Sequence, residues 1–307
     1  MITLPIYAKK SKGLDGLVEG FSTALPEENR KVRVESNPVF VQLIQKFEEY
    51  IGLEKSMQHS GPAEYQEKSK RHHFYLRREV TEILPPAAIN GLLQLMTKYV
   101  SPSESKTVGR FLTHLLQQSY DAGYNDFYLD TTDIGKINNL GDVLRGNSKR
   151  ALRINVDGPI GNYFLSEAYR VAATFRTDSV PLFTAHKVRK SNITIYGAAG
   201  IHCGNQARYS SFIIKGEPGY LHMGYGSGMS AWFSNFTLIG FSNSPYDFFD
   251  SKATPFGCTF RTHNEETMGN IVQHLPLGNR AIFIHPDGRE ETLWKKHFVE
   301  RMKYKMR

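Results

Sequence analysis

The sequence contains few cysteines and no long hydrophobic run. Its 307 residues include only two cysteines, Cys203 and Cys258. Two are too few for a disulfide framework, which makes a reducing cytoplasm the expected compartment. No apolar run reaches the roughly 18 residues of a membrane-spanning helix. The first charges follow a very short apolar run, the reverse of a signal peptide. These features predict a cytoplasmic protein without a membrane span.

Common metal and nucleotide motifs are also missing. The sequence contains neither CxxC nor HxxxH, so no ligand spacing indicates a metal. The segment 224–228 is rich in glycine, but it lacks the Lys-Ser/Thr pair and the strand–loop–helix context of a P-loop. Asp130, Asp133 and Asp142 fit neither a calcium loop nor a pair of catalytic carboxylates. The sequence therefore leaves the cofactor unknown.

The charge of the chain is positive and is concentrated at the C-terminus. The formal net charge is +8, whereas the hydrophobic and charged fractions are ordinary for a globular protein. Basic residues dominate the last segment: Lys295, Lys296, Arg301, Lys303, Lys305 and Arg307. A basic cluster attracts nucleic acid or another anionic surface. Nucleic acid is therefore one possible partner, contacted through this tail.

Short β-branched or aromatic runs in the middle of the chain repeatedly end in glycine. Leu152–Asp157 precedes Gly158, Ile193–Tyr196 precedes Gly197, and a run from 212 to 215 precedes Gly216. In these three cases a second glycine follows three residues later. A strand that ends in this way predicts a sharp corner, where glycine adopts positive φ without a Cβ penalty.

The spacing of these corners indicates a repeat. Gly158 and Gly197 are 39 positions apart, and Gly197 and Gly216 are 19 apart, about half as many. The pattern predicts coils of nearly constant length, with one coil near Thr177–Val180 that has lost its glycines. The step from Gly216 to Gly240 is longer and predicts a loop insertion at 224–229. Such repeats favour a solenoid, and the alternative is an antiparallel sandwich with glycine at its turns.

Gly197-x-x-Gly200-x-x-x-Gly204 resembles the GxxGxxxG repeat of a known family. This repeat builds the right-handed parallel β-helix at the C-terminal end of the glutamate synthase large subunit, and a formylmethanofuran dehydrogenase subunit has a similar domain. The resemblance covers roughly residues 150–245, and Leu165 stands where the coil of Gly158 should have its third glycine. In that family the β-helix is mainly structural, so the resemblance implies a scaffold.

Helical patterns dominate the chain before this repeat. Asn37-Pro38 predicts a helix start, and apolar residues continue at helical spacing to Ile51. Two more helices are predicted, from 85–86 and from 103–105. After the repeat, a helix capped by Asn264, a β-hairpin around residues 286–288 and a final helix from Trp294 are expected. The predicted class is α+β: a helical region 1–150, a parallel β-helix-like or other mainly-β domain 151–245, and a small α/β extension 246–307.

Histidine and cysteine residues of the repeat form one candidate site. His202, Cys203 and His222 follow the glycine corners at similar distances, so stacked coils could bring the two imidazoles together. With Cys258 they could form a zinc site or a Cys/His nucleophile pair. The alternative is that Cys203 packs inside a coil and the histidines form surface hydrogen bonds.

Three functions follow from these patterns. The first is a structural or interaction protein without catalytic activity, which holds a protein partner or forms a homo-oligomer. The second is an enzyme or small-molecule binding protein that uses His202, Cys203 and His222. The third is a nucleic-acid-associated protein that uses the basic C-terminal tail.

Overall fold

The computed structural model describes residues 38–57, 75–99, 104–200, 202–216, 231–239, 255–275 and 277–293. The chain divides into two compact units, Met1–Asp130 and Thr131–Arg307. Its class is α+β, as predicted. Within the described ranges, no helix is long and apolar enough to cross a membrane. The predicted insertion at 224–229 and the predicted helix from Trp294 lie outside these ranges, and the predicted domain boundaries stay a prediction.

The first unit is mainly helical. It contains α1 (Pro38–Met57), α2 (Pro86–Tyr99), α3 (Ser105–Asp121) and the strand β1 (Asp126–Asp130). The three predicted helices are therefore confirmed. Phe47 of α1 packs edge-on against Phe111 of α3, with ring centroids 5.2 Å apart. The side chain of Asn90 accepts a hydrogen bond from the Asp130 amide at 2.8 Å, which fixes β1 to α2.

The second unit is a parallel β-solenoid. Its strands are β2 (Leu152–Asp157), β3 (Val171–Ser179), β4 (Asn192–Ala198), β5 (Ser211–Ile214), β6 (Asn235–Leu238), β7 (Thr259–Thr262), β8 (Arg280–Ile284) and β9 (Glu290–Leu293). Consecutive strands from β2 to β8 pair in parallel, and β9 pairs with β8 antiparallel as the predicted hairpin. Between β7 and β8 lies α4 (Glu265–His274), whose cap is Asn264 as predicted.

The strand register confirms the solenoid reading of the glycine spacing. Arg153 pairs with Ala172, Ala172 with Asn192, and Asn192 with Ser211. Each step is 19 or 20 residues, as the glycine corners predicted, and β3 is the strand of the coil without glycines. The sandwich alternative is wrong, because adjacent strands at these corners are parallel and an antiparallel sandwich would make them hairpins.

Stacked apolar side chains fill the inside of the coils. Parallel, in-register pairing places equivalent residues of successive coils directly above one another. Phe212, Phe236 and Phe260 consequently form a continuous ring stack, with centroids 4.8 and 5.4 Å apart, and all three are at most 1% exposed. This stack belongs to the core that holds the coils together.

Both glycines of a corner lie close to the backbone of the preceding coil, and the first one can also have a positive φ. Gly158 and Gly197 have the expected positive φ, 102° and 150°, whereas Gly216 does not and is required by the approach of Gly197, 2.4 Å from its Cβ position. Positive φ does not explain Gly161 and Gly200, the second glycines of these corners. A Cβ on Gly161 would lie 2.3 Å from the Ile137 carbonyl carbon, and one on Gly200 would lie 2.1 Å from the Val180 oxygen. The second glycine is therefore required by the close approach of the preceding coil.

Candidate functional site

A column of arginine and aromatic residues runs along the solenoid outside the main sheet. Each member forms an isolated parallel bridge to the equivalent residue of the next coil. In order, the members are Arg145, Tyr169, Arg189, Arg208, Trp232 and Phe256. We call this column the bridge ladder. Adjacent parallel strands lie about 4.8 Å apart, so the ladder offers one side chain at each such step.

The backbone turns directly after the ladder in four coils. The residues that follow the ladder in four coils have left-handed φ of 49–54°; they are Arg170, Lys190, Tyr209 and Phe233. We call these four the companion column. Each companion amide donates to the carbonyl of the ladder residue in the next coil, at 2.9–3.0 Å. Left-handed backbone at a non-glycine residue costs roughly 1–3 kcal/mol, and these hydrogen bonds offset it.

A buried polar column supports the ladder from inside. Four members come two residues after a ladder residue, and Asn279 continues the column in the next coil; the five are Ser191, Ser210, Ser234, Cys258 and Asn279. We call this set the serine column. The Ser210 hydroxyl donates to the Arg208 carbonyl at 3.0 Å and accepts from the Ser191 amide at 3.2 Å. Ser191 and Ser234 donate in the same way to the carbonyls of Arg189 and Trp232. The ladder backbone is therefore fixed by hydrogen bonds within each coil and between coils.

Replacing Ser210 with alanine is expected to destabilise the second unit by about 1–3 kcal/mol, because the change leaves a buried amide and a buried carbonyl without this partner. Urea unfolding followed by tryptophan fluorescence measures the effect. The matched control is Ser211→Ala, which removes a hydroxyl one residue further on, where the side chain is half-buried. Equal midpoints for the two variants would contradict the structural role of the serine column.

The ladder and its neighbours form a positively charged cleft. A cleft of about 620 Å³ is lined by Arg145, Glu167, Tyr169, Lys187, Arg189, Gln206 and Arg208. Arg170 and Lys190 of the companion column line a neighbouring cleft. Within the described residues, the lining of the first cleft has four cationic side chains and one carboxylate, Glu167. That carboxylate pairs with Lys187 at 3.2 Å. The face therefore carries a strong local surplus of positive charge.

Aromatic rings hold several of these cations in place. The guanidinium of Arg208 lies 5.3 Å from the ring centroid of Trp232, the next ladder residue. The guanidinium of Arg170 lies 5.1 Å from the Tyr169 ring, and the Lys190 ammonium lies 5.9 Å from the same ring. Such cation–π contacts orient a charge without neutralising it. The cations consequently keep their charge for an anionic ligand.

The structure places the two candidate cysteines on different coils. Cys203 lies on the turn after β4 and Cys258 lies in the serine column before β7; both are free and buried. Burial raises the pKa of the Cys203 thiol to about 12. Burial also raises the pKa of Cys258 to about 11, although hydrogen bonds with the backbone of Ser234 and Phe256 oppose this increase. Both environments favour the neutral thiol over the thiolate that a nucleophile uses.

His202 belongs to a stack of rings at the turn of the solenoid. Its imidazole lies 4.4 Å from the ring of Phe183, nearly parallel to it, and Phe183 stacks on Tyr163 at 4.9 Å. Within the described part of the chain, no group of three or more His, Cys, Asp or Glu could hold a metal ion. His222 lies outside the described residues, so a joint site of His202, Cys203, His222 and Cys258 stays a prediction. The six basic tail residues from Lys295 to Arg307 also lie outside.

Sequence reasoning missed the bridge ladder, although the sequence contains a signal for it. In three successive coils an arginine or tryptophan occurs two residues before a serine that directly precedes a strand: Arg189 before Ser191, Arg208 before Ser210, and Trp232 before Ser234. Aligning the coils on their strand starts, instead of on their glycines, would have revealed the column.

Comparisons with protein-family models, with curated proteins and with solved structures give no match to this chain.

Proposed function

We propose that the solenoid is a non-catalytic scaffold that binds an extended anionic polymer along the bridge ladder. The observation that carries this proposal is the pairing of Arg189 and Arg208 on consecutive rungs. Like charges directly opposite each other destabilise a sheet, and the described lining of this cleft provides one carboxylate for four cations. A bound polyanion would neutralise the repulsion. The scaffold role is also what the resemblance to the glutamate synthase β-helix implies.

The length of the ladder favours a polymer over a single small anion. Three coil steps separate Arg145 from Arg208, which corresponds to roughly 15 Å at the usual strand spacing. One phosphate group would contact only one or two of these side chains at a time. A chain of several negative charges could contact all of them. Free, buried cysteines are compatible with the cytoplasm that we propose as the location.

Neutralising the ladder arginines is expected to weaken polyanion binding. The variant is Arg145→Gln/Arg189→Gln/Arg208→Gln in the full chain, and the probe is long-chain inorganic polyphosphate, titrated calorimetrically at about 50 to 200 mM salt. We expect the affinity to fall by about 10-fold or more, and the slope of log K against log salt to become shallower by roughly 2, because fewer counterions are released. The single variant Arg189→Gln should show a smaller loss, which keeps the test valid if the triple variant does not fold.

The matched control removes the same number of charges elsewhere. Arg78, Lys106 and Arg289 are exposed and belong neither to the bridge ladder nor to the lining of its cleft, so the triple variant with glutamine at these positions should retain the wild-type affinity. Equal losses in the two triple variants would show non-specific attraction and would refute the proposal. Removing residues 295–307 tests the predicted tail contact: a loss confined to this deletion would assign binding to the tail instead of the ladder.

A further inference from the structure

The side chains of the bridge ladder and the companion column change from mostly cationic to aromatic along the solenoid. The cations lie on the coils from Arg145 to Arg208, whereas exposed aromatic rings follow from Tyr209 onward. These rings are Tyr209, Trp232, Phe233 and Phe256, which are 60, 43, 43 and 52% exposed. We call these four the aromatic cluster. Several large rings that are 43–60% exposed on neighbouring coils indicate a contact surface for a ligand.

The rings of the aromatic cluster are arranged as a surface for stacking. Tyr209 and Phe233 lie nearly parallel, with centroids 5.4 Å apart and an angle of 8° between the rings. Phe256 meets Phe233 edge-on at 5.6 Å. The same hydrogen bonds that hold the companion column fix the backbone of Tyr209 and Phe233. Hydrogen bonds between coils therefore hold the backbone that carries these two rings.

Cations and rings meet at Arg208, whose guanidinium lies 5.3 Å from the Trp232 ring centroid. A ligand that crosses this point has to offer negative charge on one side and flat apolar faces on the other. Single-stranded nucleic acid combines the two, because its phosphates pair with cations and its unpaired bases expose both faces for stacking. A duplex keeps its base faces inside the stack. Polyphosphate and sulfated polysaccharides provide charge without aromatic faces.

We therefore propose that the polyanion is single-stranded nucleic acid, with its phosphates on the ladder arginines and its bases on the aromatic cluster. This inference rests on the proposed function, which it makes specific. Binding of this kind does not require a particular base sequence, because every base has a face that can stack on an aromatic ring. A binding site of this kind tolerates many sequences and is strongly dependent on salt.

The test compares two ligands on variants that keep the charge of the face. The probes are a fluorescein-labelled oligo(dT) strand of about 20 nucleotides, which exceeds the site size of a typical single-strand binding fold, and long-chain polyphosphate. The variant is Tyr209→Ala/Phe256→Ala, and the matched control is Tyr128→Ala/Tyr196→Ala, which removes two exposed rings elsewhere. In the background Trp294→Phe, Trp232 is the only tryptophan and its fluorescence reports stacking directly.

We expect the variant Tyr209→Ala/Phe256→Ala to bind oligo(dT) at least about 10-fold more weakly than wild type, since each lost ring removes a stacking contact. Its affinity for polyphosphate should stay within about 2-fold of wild type, because the cations are retained. Oligo(dT) should quench Trp232, and polyphosphate should not. A duplex of equal length should compete less well than the single strand.

Other outcomes separate the two proposals. If oligo(dT) and polyphosphate bind the wild type equally well and the cluster variant retains both, the nucleic-acid inference fails and the polyanion proposal stands. Equal competition by the duplex, or preferential binding of a sulfated polysaccharide, would also overturn the inference. If neither probe binds the wild type, both proposals fail.

Discussion

Replacing Phe236 with alanine is expected to lower the free energy of unfolding of the solenoid by about 3–5 kcal/mol. The Phe236 ring is fully buried between Phe212 and Phe260, with centroid distances of 4.8 and 5.4 Å. Its removal loses the buried apolar surface of one ring and the stacking contacts with two others. The rings above and below are held by their own strands, so the cavity can close only in part.

Tryptophan fluorescence during urea unfolding measures this loss of stability, because it reports on the compact unit that contains Phe236. Both tryptophans, Trp232 and Trp294, belong to the unit Thr131–Arg307. We expect the midpoint to decrease by about 1–3 M urea. The control Phe256→Ala removes the same side chain from a position that is 52% exposed, and it should cost no more than about 1 kcal/mol. Similar midpoints for the two variants would show that the ring stack does not hold the coils together.

Replacing Gly197 with alanine is expected to destabilise the solenoid by about 3 kcal/mol or more, from backbone strain and overpacking together. Its φ is 150°, a conformation that alanine adopts poorly. A Cβ there would lie 1.7 Å from the carbonyl oxygen of Thr177 in the preceding coil. The oxygen belongs to the backbone of β3, so it cannot move aside as a flexible side chain would. The two coils would have to separate at this corner.

The control for this variant is Gly288→Ala, in the turn between β8 and β9. Gly288 also has a positive φ, 83°, but a Cβ there would meet nothing within 4 Å. We expect a loss of only about 1–2 kcal/mol, the cost of the left-handed conformation alone. The difference between the two variants, read from the same urea curves, isolates the contact between coils. Losses of equal size would mean that glycine at position 197 is required only for its own positive φ and not for the close approach of the preceding coil.

The solenoid was predictable because its contacts between coils restrict the sequence strongly. A Cβ on Gly197, Gly200 or Gly216 would collide with backbone of the preceding coil, so glycine recurs at the period of the fold. The strands could then be located as the apolar runs between these glycine corners. The helices α1 to α4 followed from caps and periodicity, which are local signals.

The functional face could not be predicted by the same reasoning. Its geometry depends on left-handed backbone at residues that are not glycine, such as Arg170 and Lys190, and their side chains give no sign of this conformation. The third position of the glycine repeat also has left-handed backbone at a residue that is not glycine. Leu165 has a φ of 52° where the equivalent Gly204 has 69°, and the Leu165 amide donates to Leu140 in the preceding coil at 3.0 Å. Hydrogen bonds between coils, which are invisible in a single sequence, stabilise these residues.

Arginine footprinting tests most directly whether the bridge ladder is the binding face. The full chain is treated with phenylglyoxal with and without saturating polyphosphate, and the modified arginines are identified by mass spectrometry. We expect the ligand to protect Arg189 and Arg208, while Arg78 and Arg289 react at the same rate in both samples. If polyphosphate binds and Arg189 and Arg208 react as fast as in the free protein, the ladder is not the binding face and the account is wrong.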